Sequence, residues 1–277
     1  MIKLGLIGTS IARSRMPLFQ RLAGERTGHP LDYALFDIEG GDPLGFDATS
    51  NACAEGGFHG VNVTFPFKER AAARVAVEDP RVRTLGAVNT VIFGGGIARG
   101  FNTDHTGFRR AYRGRFGERP AGRVALIGAG GVGRAIAFAL PTLGASEIRL
   151  FDLDATKAEA LAAALRAAGA EVLLCSSAED AATDAHGIVN GTPVGMYFQP
   201  GCPIAADALR GLRWAFDAVY TPEDTELLQA ARAAGLDVLS GFALFLGQAA
   251  DAFEVFTGAR LSDADVAAIE REIRAAG

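Results

Sequence analysis

Apolar and polar positions along this chain follow two periods in turn. Short apolar runs end at glycine, asparagine or proline, and longer stretches with helical spacing come between them. Val124-Ala125-Leu126-Ile127 is one such run and predicts a buried strand. Gly128-Ala129-Gly130-Gly131-Val132-Gly133 follows at once, and then the alanine-rich helical pattern from Arg134 to Leu140. Ile148 to Phe151 predicts the next strand, with Asp152 at its end. Ala155 to Ala168 predicts a helix, Val172 to Leu174 a strand, and Gly187 to Asn190 a strand ending in the polar turn Gly191 to Met196. Trp214 to Tyr220 reads as a strand broken by Thr221-Pro222. Thr225 to Ala234 is helical, and Asp237 to Leu239 is a last short strand. Phe242 to Phe256 reads as a long apolar helix stopped by Thr257-Gly258. Ser262 caps a polar terminal helix to Ala276.

The N-terminal part repeats the alternation. Leu4 to Ile7 is a strand ending at Gly8, and a loop runs from Thr9 to Met16. Pro17 suits the first turn of a helix reaching Thr27. Leu31 to Phe36 is a strand, Pro43 to Gly56 a helix, and Gly60 to Thr64 a strand that stops at Phe65-Pro66-Phe67. Lys68 to Val77 is helical. Ala87 to Ile92 is a strand turning at Gly94-Gly95-Gly96 to pair with Ile97 to Phe101. Asn102-Thr103-Asp104 is a polar loop before a helix from Thr106 to Arg115. Strands alternating with helices imply an α/β fold with mixed or parallel sheets. Gly117 to Gly122, rich in glycine, charge and proline, is the clearest break between two periodic regions.

The strand, glycine turn and helix around Gly128 have the order that a dinucleotide site needs. Gly128 permits the tight turn, Gly130 lets the backbone approach a pyrophosphate, and Gly133 lets the helix pack on the strand. Ala129, Gly131 and Val132 complete the loop, and the helix N-terminus offers N–H groups to phosphates. Asp152 lies nineteen residues after Gly133, where an acid accepts hydrogen bonds from the adenosine ribose. A carboxylate there suits the free 2′-hydroxyl of NAD and repels the 2′-phosphate of NADP. Leu153-Asp154-Ala155-Thr156 adds a second acid and no arginine. NAD is therefore expected over NADP. The competing reading is a glycine-rich structural turn.

Composition narrows the classes further. The 277 residues suit two domains or one large α/β unit, with 49% apolar and 21% charged residues. A net charge of −5 argues against nucleic acid or an anionic membrane as partner. Cys53, Cys175 and Cys202 are few, odd in number and far apart, and the four histidines have no ligand spacing, so neither disulfides nor a metal site is expected. Met1-Ile2-Lys3 leads straight into a strand, and no apolar run approaches a membrane span, so a cytoplasmic enzyme is expected.

Several polar residues fit a plain core poorly. Lys68 would start a helix at the positive end of its dipole, a misplacement that hints at a function, with a solvated surface lysine as the plain alternative. Asn89 interrupts an apolar strand and needs partners if buried. Asp104 follows Asn102-Thr103, which reads equally as an Asx turn or a helix N-cap. Gln248 lies inside an apolar helix, and Tyr220 stands at a strand end. Taken singly, each has a structural reading.

Together these segments resemble the shikimate dehydrogenases, and within them the NAD-using quinate/shikimate branch. The matching stretches are Gly60-Val61-Asn62-Val63-Thr64-Phe65-Pro66-Phe67-Lys68, Leu85 to Thr90, Asn102-Thr103-Asp104, Gly128 to Gly133, Asn190 to Met196, Asp217 to Tyr220 and Gly247 to Ala250. They run in the family's order over nearly the whole chain. The resemblance implies two α/β domains with a cleft between them: a substrate domain, residues 1–105 and 240–277, and a Rossmann domain, residues 106–239. The last helices would pack back on the first domain. It implies reversible hydride transfer between a nicotinamide and a ring hydroxyl or ketone of shikimate or quinate. Lys68 and Asp104 would be the catalytic pair, the lysine taking the proton if burial lowers its pKa. Thr64, Asn89 and Gln248 would bind ring hydroxyls, Ser14 and Tyr220 the carboxylate, and Asn190 and Thr192 the cofactor. The partner is a small cyclic carboxylate, and the protein a monomer or homodimer. A related ring such as an aminoshikimate, or a non-catalytic NAD sensor, are the alternatives. Two departures stand out. Ser14-Arg15-Met16-Pro17 has a methionine where the family usually has a second hydroxyl, and Gly241 to Phe245 differs from the usual Gly-Leu-Gly-Met-Leu-like run.

Overall fold

The computed structural model describes residues 1–94 and 96–276. The chain divides into two compact units, Met1–Thr103 with Leu246–Gly277, and Asp104–Phe245. In the first unit come β1 (Ile2–Gly8), α1 (Met16–Thr27), β2 (Leu31–Asp37), α2 (Pro43–Glu55), β3 (Gly60–Val63), α3 (Lys68–Ala72), α4 (Pro80–Leu85), β4 (Thr90–Ile92) and β5 (Arg99–Phe101). The sheet order is β2-β1-β3-β4-β5. The first three strands are parallel, and β4 and β5 are antiparallel to their neighbours. Its core gathers Ile7, Val61, Val63, Phe46, Phe67 and Val88.

Local chemistry sets most element ends. Asp42 accepts from the N–H groups of Leu44 and Gly45 and starts α2. Gly28, at φ +71°, ends α1 with its N–H on the Gly24 carbonyl. Two predictions need correction. The helix expected from Lys68 to Val77 stops at Ala72, because Ala76 is taken by strand-like pairing: its N–H donates to Ala98 O at 2.8 Å and its carbonyl accepts from Gly100 at 2.9 Å. The strand expected from Ala87 begins at Thr90, since Val88 N–H turns to the Lys68 carbonyl instead. The hairpin of β4 and β5 is present, pairing Thr90 with Phe101 and Ile92 with Arg99. Gly95 of its expected glycine turn lies outside the described residues.

The second unit holds α5 (Thr103–Phe116, its first residue in the first unit), β6 (Gly122–Ile127), α6 (Gly131–Ala139), β7 (Ala145–Phe151), α7 (Ala155–Ala167), β8 (Val172–Leu174), α8 (Ala178–Ala182), β9 (Gly187–Asn190), β10 (Trp214–Asp217), α9 (Glu226–Ala233) and β11 (Asp237–Ser240). The six strands run parallel in the order β11-β10-β9-β6-β7-β8. This is a doubly wound sheet whose order reverses between β6 and β9. Strand alternation feeds two cores. Val124, Leu126, Trp214 and Phe216 join one, while Ala125, Ile127, Ile188 and Ala215 join the other. Apolar faces on both sides explain why these strands read as continuous apolar runs.

α10 (Gly241–Thr257) starts in the second unit and ends in the first, followed there by α11 (Asp263–Ala276). Both dock on α1 within the first unit. Gln20 Nε2 donates to Ala249 O at 3.0 Å, and Arg26 pairs with Glu272. Ser262 accepts from Asp265 N–H at 3.1 Å, as its capping role requires. The α/β fold class and the returning helices agree with expectation. α4 and α8 are additions, each opened by a capping side chain, Asp79 and Ser177. Among the described residues no helix is long and apolar enough to cross a membrane.

Candidate active site

The order reversal between β6 and β9 puts two glycine-containing turns side by side. Gly128 has φ +102°, and a Cβ there would meet the Gly191 carbonyl carbon at 2.8 Å. A Cβ on Gly133 would lie 2.1 Å from the Gly128 oxygen, so only glycine lets α6 pack this close. Gly130 differs, because a Cβ there would meet nothing within 4 Å. Its bare backbone faces open space, and α6 begins beside it with no side-chain cap on its N-terminal N–H groups. Those features fit a pyrophosphate. Gly131 and Val132 form the first turn of that helix.

Asp152 leaves the end of β7 half-buried, with both oxygens anchored. Oδ2 accepts from Ala129 N–H at 2.6 Å and Oδ1 from Asp154 N–H at 2.8 Å. The acid that would read the ribose thus also ties down the glycine loop. The second acid, Asp154, caps α7 through the N–H groups of Thr156 and Lys157. At the end of β9, Asn190 is fully buried. Its Nδ2 donates to Val194 O and Asp217 Oδ1, both at 2.9 Å, and its Oδ1 accepts from Thr192 N–H and Oγ1. All its hydrogen-bonding capacity is used, so Asn190 shapes the Thr192 loop.

In the first unit, Ser14 sits in the loop between β1 and α1, where its Oγ accepts from Met16 N–H at 3.3 Å. The loop hangs on Asp37, which sequence reading missed: its carboxylate accepts from Ser10 N–H at 2.8 Å and Ile11 N–H at 3.1 Å. The available signal was an acid at the end of the second strand, the same signal as Asp152. Met16 is buried, and its Sδ lies 3.5 Å from Gln20 Nε2, so the side chain packs into the unit. Thr64 follows β3, its N–H on Ile7 O at 3.0 Å, and Lys68 is the half-buried first residue of α3. Two contacts hold α3 to α2. Phe67 stacks on Phe46 at 4.8 Å, and Arg70 reaches Asp47 with a two-pronged bond of 2.8 and 2.6 Å.

Asn89 and Gln248 are brought together. Thr103 N–H, which can only donate, fixes Asn89 Oδ1 as its acceptor at 2.8 Å. Asn89 Nδ2 then donates to Thr103 Oγ1 at 2.9 Å and Gln248 Oε1 at 3.1 Å. Gln248 is left with its Nε2 hydrogens for other acceptors. Behind Asn89, Asn62 donates to Thr90 Oγ1 at 3.0 Å and to the Asn89 carbonyl at 3.3 Å, and it accepts from the Tyr33 hydroxyl at 2.7 Å. Asn62, Thr90 and Thr103 were not singled out from sequence, although Asn62 is a polar residue in an apolar strand.

The second unit holds the remaining two residues. Asp104 is buried in the first turn of α5, so the expected polar loop is helix already from Thr103. Tyr220 stacks on Phe245 at 5.1 Å, and Phe245 on Phe242 at 5.6 Å. Phe242 and Phe245 come from the stretch that departs from the family pattern. Among the described residues, no three His, Cys, Asp or Glu side chains gather where they could hold a metal ion.

Comparison with known proteins agrees with this geometry. Residues 6–91 match the family model described as shikimate dehydrogenase substrate binding domain. A shikimate dehydrogenase (NADP(+)) from Streptomyces avermitilis is 39% identical over 260 residues, covering 92% of this chain and 89% of its own. A quinate/shikimate dehydrogenase (NAD(+)) from Corynebacterium glutamicum is 38% identical over 264 residues, 93% of each chain. The solved quinate dehydrogenase from Corynebacterium glutamicum in complex with NAD superposes with a TM-score of 0.85 at 35% identity, covering 100% of this chain and 99% of its own. The switch-point turns, the anchored acid and these likenesses over nearly the full length lead to one assignment: this chain belongs to the shikimate dehydrogenase family of NAD(P)-dependent oxidoreductases.

Proposed function

We propose that this protein interconverts a ring alcohol and ketone of shikimate or quinate with NAD as the preferred cofactor. Asp152 carries the cofactor preference. Relatives of both cofactor types are nearly equally similar, at 39% and 38% identity, so overall identity favours neither. A carboxylate whose two oxygens are already held by Ala129 and Asp154 N–H groups is fixed in place. It keeps lone pairs for ribose hydroxyls and opposes a 2′-phosphate. The glycine loop Gly128 to Gly133 and the Thr192 loop would receive the dinucleotide. When bound, the cofactor supplies the hydride acceptor or donor.

Lys68 and Asp104 are the proposed acid–base pair. Oxidation of an alcohol releases a proton with the hydride, and the Lys68 amine would take it, with Asp104 as the carboxylate of the pair. Gln248 Nε2 and Thr64 Oγ1 would bind ring oxygens, with Asn89 orienting the Gln248 amide. Ser14 and Tyr220 would bind the carboxylate. Met16, turned into the core, leaves Ser14 without a second hydroxyl two residues on. The test is kcat/KM for shikimate and quinate with each cofactor. NAD should be preferred by at least about tenfold, the order expected when one charge-assisted contact is replaced by repulsion. Equal or better efficiency with NADP would remove Asp152 as the determinant, and no turnover with either ring would remove the proposed substrates.

A further inference from the structure

The mechanism above makes no use of Asp217, although burying a carboxylate is costly. Asp217 ends β10 with no exposed surface. Its Oδ1 accepts from Asn190 Nδ2 and from Val219 N–H, each at 2.9 Å, and its Oδ2 accepts from Thr225 Oγ1 at 2.6 Å. Burial pushes its pKa up to about 6, against the pull of those three bonds. The donors come from two connections at the carboxyl edge of the parallel sheet, the one after β9 and the one after β10. Asn190 opens the loop after β9, Val219 lies in the turn after β10, and Thr225 is the N-cap of α9.

Each partner passes the constraint onward. Asn190 Nδ2 also donates to Val194 O, which can only accept, so its amide has a single orientation and Oδ1 must face Thr192. Thr192 Oγ1 in turn accepts from Val194 N–H at 3.2 Å. On the other side, the bond from Val219 sets the turn leading to Tyr220. Thr225 Oγ1 accepts from Leu228 N–H at 3.3 Å while donating to Asp217, which fixes the start of α9.

We propose that Asp217 is a positioning residue of the dinucleotide site, holding the Asn190–Met196 loop and the Tyr220 turn through its three acceptor bonds. It acts through Asn190, Val219 and Thr225. The role rests on the reading that the Thr192 loop borders the cofactor. What it requires is acceptor capacity at this point. An asparagine could accept from Asn190 and Val219 and donate to Thr225 Oγ1. An alanine could do neither, and would take the acceptor from three buried donors.

The test is NADH binding by fluorescence titration without ring substrate, on full-length wild type, Asp217→Ala and Asp217→Asn. Each protein's fold is checked by circular dichroism. Asp217→Ala should raise the NADH Kd by about tenfold or more, and Asp217→Asn should stay within about threefold of wild type. A folded Asp217→Ala with wild-type Kd overturns the proposal, as does an asparagine variant as impaired as the alanine one. Amide exchange in the wild-type protein is the second arm, needed if the alanine variant does not fold. Thr192 and Val219 N–H should be protected to the level of Leu126 in β6, and exchange as fast as exposed-loop amides would overturn the proposal. Absence of NADH binding in wild type would instead sink the cofactor reading, and the exchange arm would still decide on Asp217.

Discussion

Single residues carry the sharpest expectations. On the proposed mechanism, Lys68→Ala should lower kcat by about 10²–10⁴-fold, the usual loss for an acid–base group. NADH affinity should survive, because Lys68 lies in the unit without the glycine loop. Stopped-turnover kinetics beside an NADH titration check both halves, and near-normal kcat would take Lys68 out of the mechanism. Met16 is a packing residue at 4% exposure. Met16→Ala should therefore destabilise by about 2–5 kcal/mol, the range for truncating a buried methionine. Urea unfolding measures it, and a loss below about 0.5 kcal/mol would mean the side chain is not part of the core.

At the scale of elements, the same residues depend on what anchors them. The five residues of α3 are too few to be stable alone. Arg70, paired with Asp47, fastens the helix that begins at Lys68. The Arg70 guanidinium holds the Asp47 carboxyl below its ordinary range. A partly exposed pair adds under about 1 kcal/mol. Arg70→Ala should thus lower kcat severalfold while the melting temperature moves little; loss of both in proportion would indicate a merely structural pair. His186 links strands differently, its Nδ1 accepting from Arg123 N–H at 2.9 Å. Burial pushes its pKa down, and the Arg213 and Arg123 charges add to this. The unfolded chain therefore takes the proton first as pH falls below about 6.5. Stability from this imidazole is present above that pH and is lost on acidification through the folded value. Asp217 has the opposite sign: raised to about 6, it is protonated first in the folded state and adds stability as pH falls from 6 toward 4. Denaturation midpoints from pH 7.5 to 5 should fall less steeply for His186→Asn, which keeps an acceptor and removes the titration. An unchanged slope would assign the acid sensitivity elsewhere.

For the whole molecule, binding of the dinucleotide is the reporter. A ligand that binds only the folded form at 100 times its Kd contributes about 2.7 kcal/mol, so NAD should raise the melting temperature by several degrees. Asp152→Ala should abolish most of that rise at the same NAD concentration, since it would remove the proposed ribose acceptor and frees Ala129 N–H; an unaltered shift would contradict the proposed role. Much of this architecture was legible in the chain itself. The apolar run Val124 to Ile127 marked β6, and largely apolar stretches marked β9 and β10, because strands buried on both faces leave few polar positions. Gly128, Gly130 and Gly133 marked the turn, because the backbone geometry of Gly128 and the close approach at Gly133 exclude side chains while Gly130 leaves its backbone open. The family motifs marked the residues proposed for catalysis. The sequence could not show where α3 ends, since Ala76 leaves the helix for a partner more than twenty residues away. Nor could it show that Met16 packs inward, that Asn190 spends its amide on its own loop, or that Asn89 sets the direction of Gln248. Asp217 stayed silent for the same reason. Local pattern records propensity and periodicity, whereas a buried polar group takes its role from donors that only the folded chain brings within 3 Å.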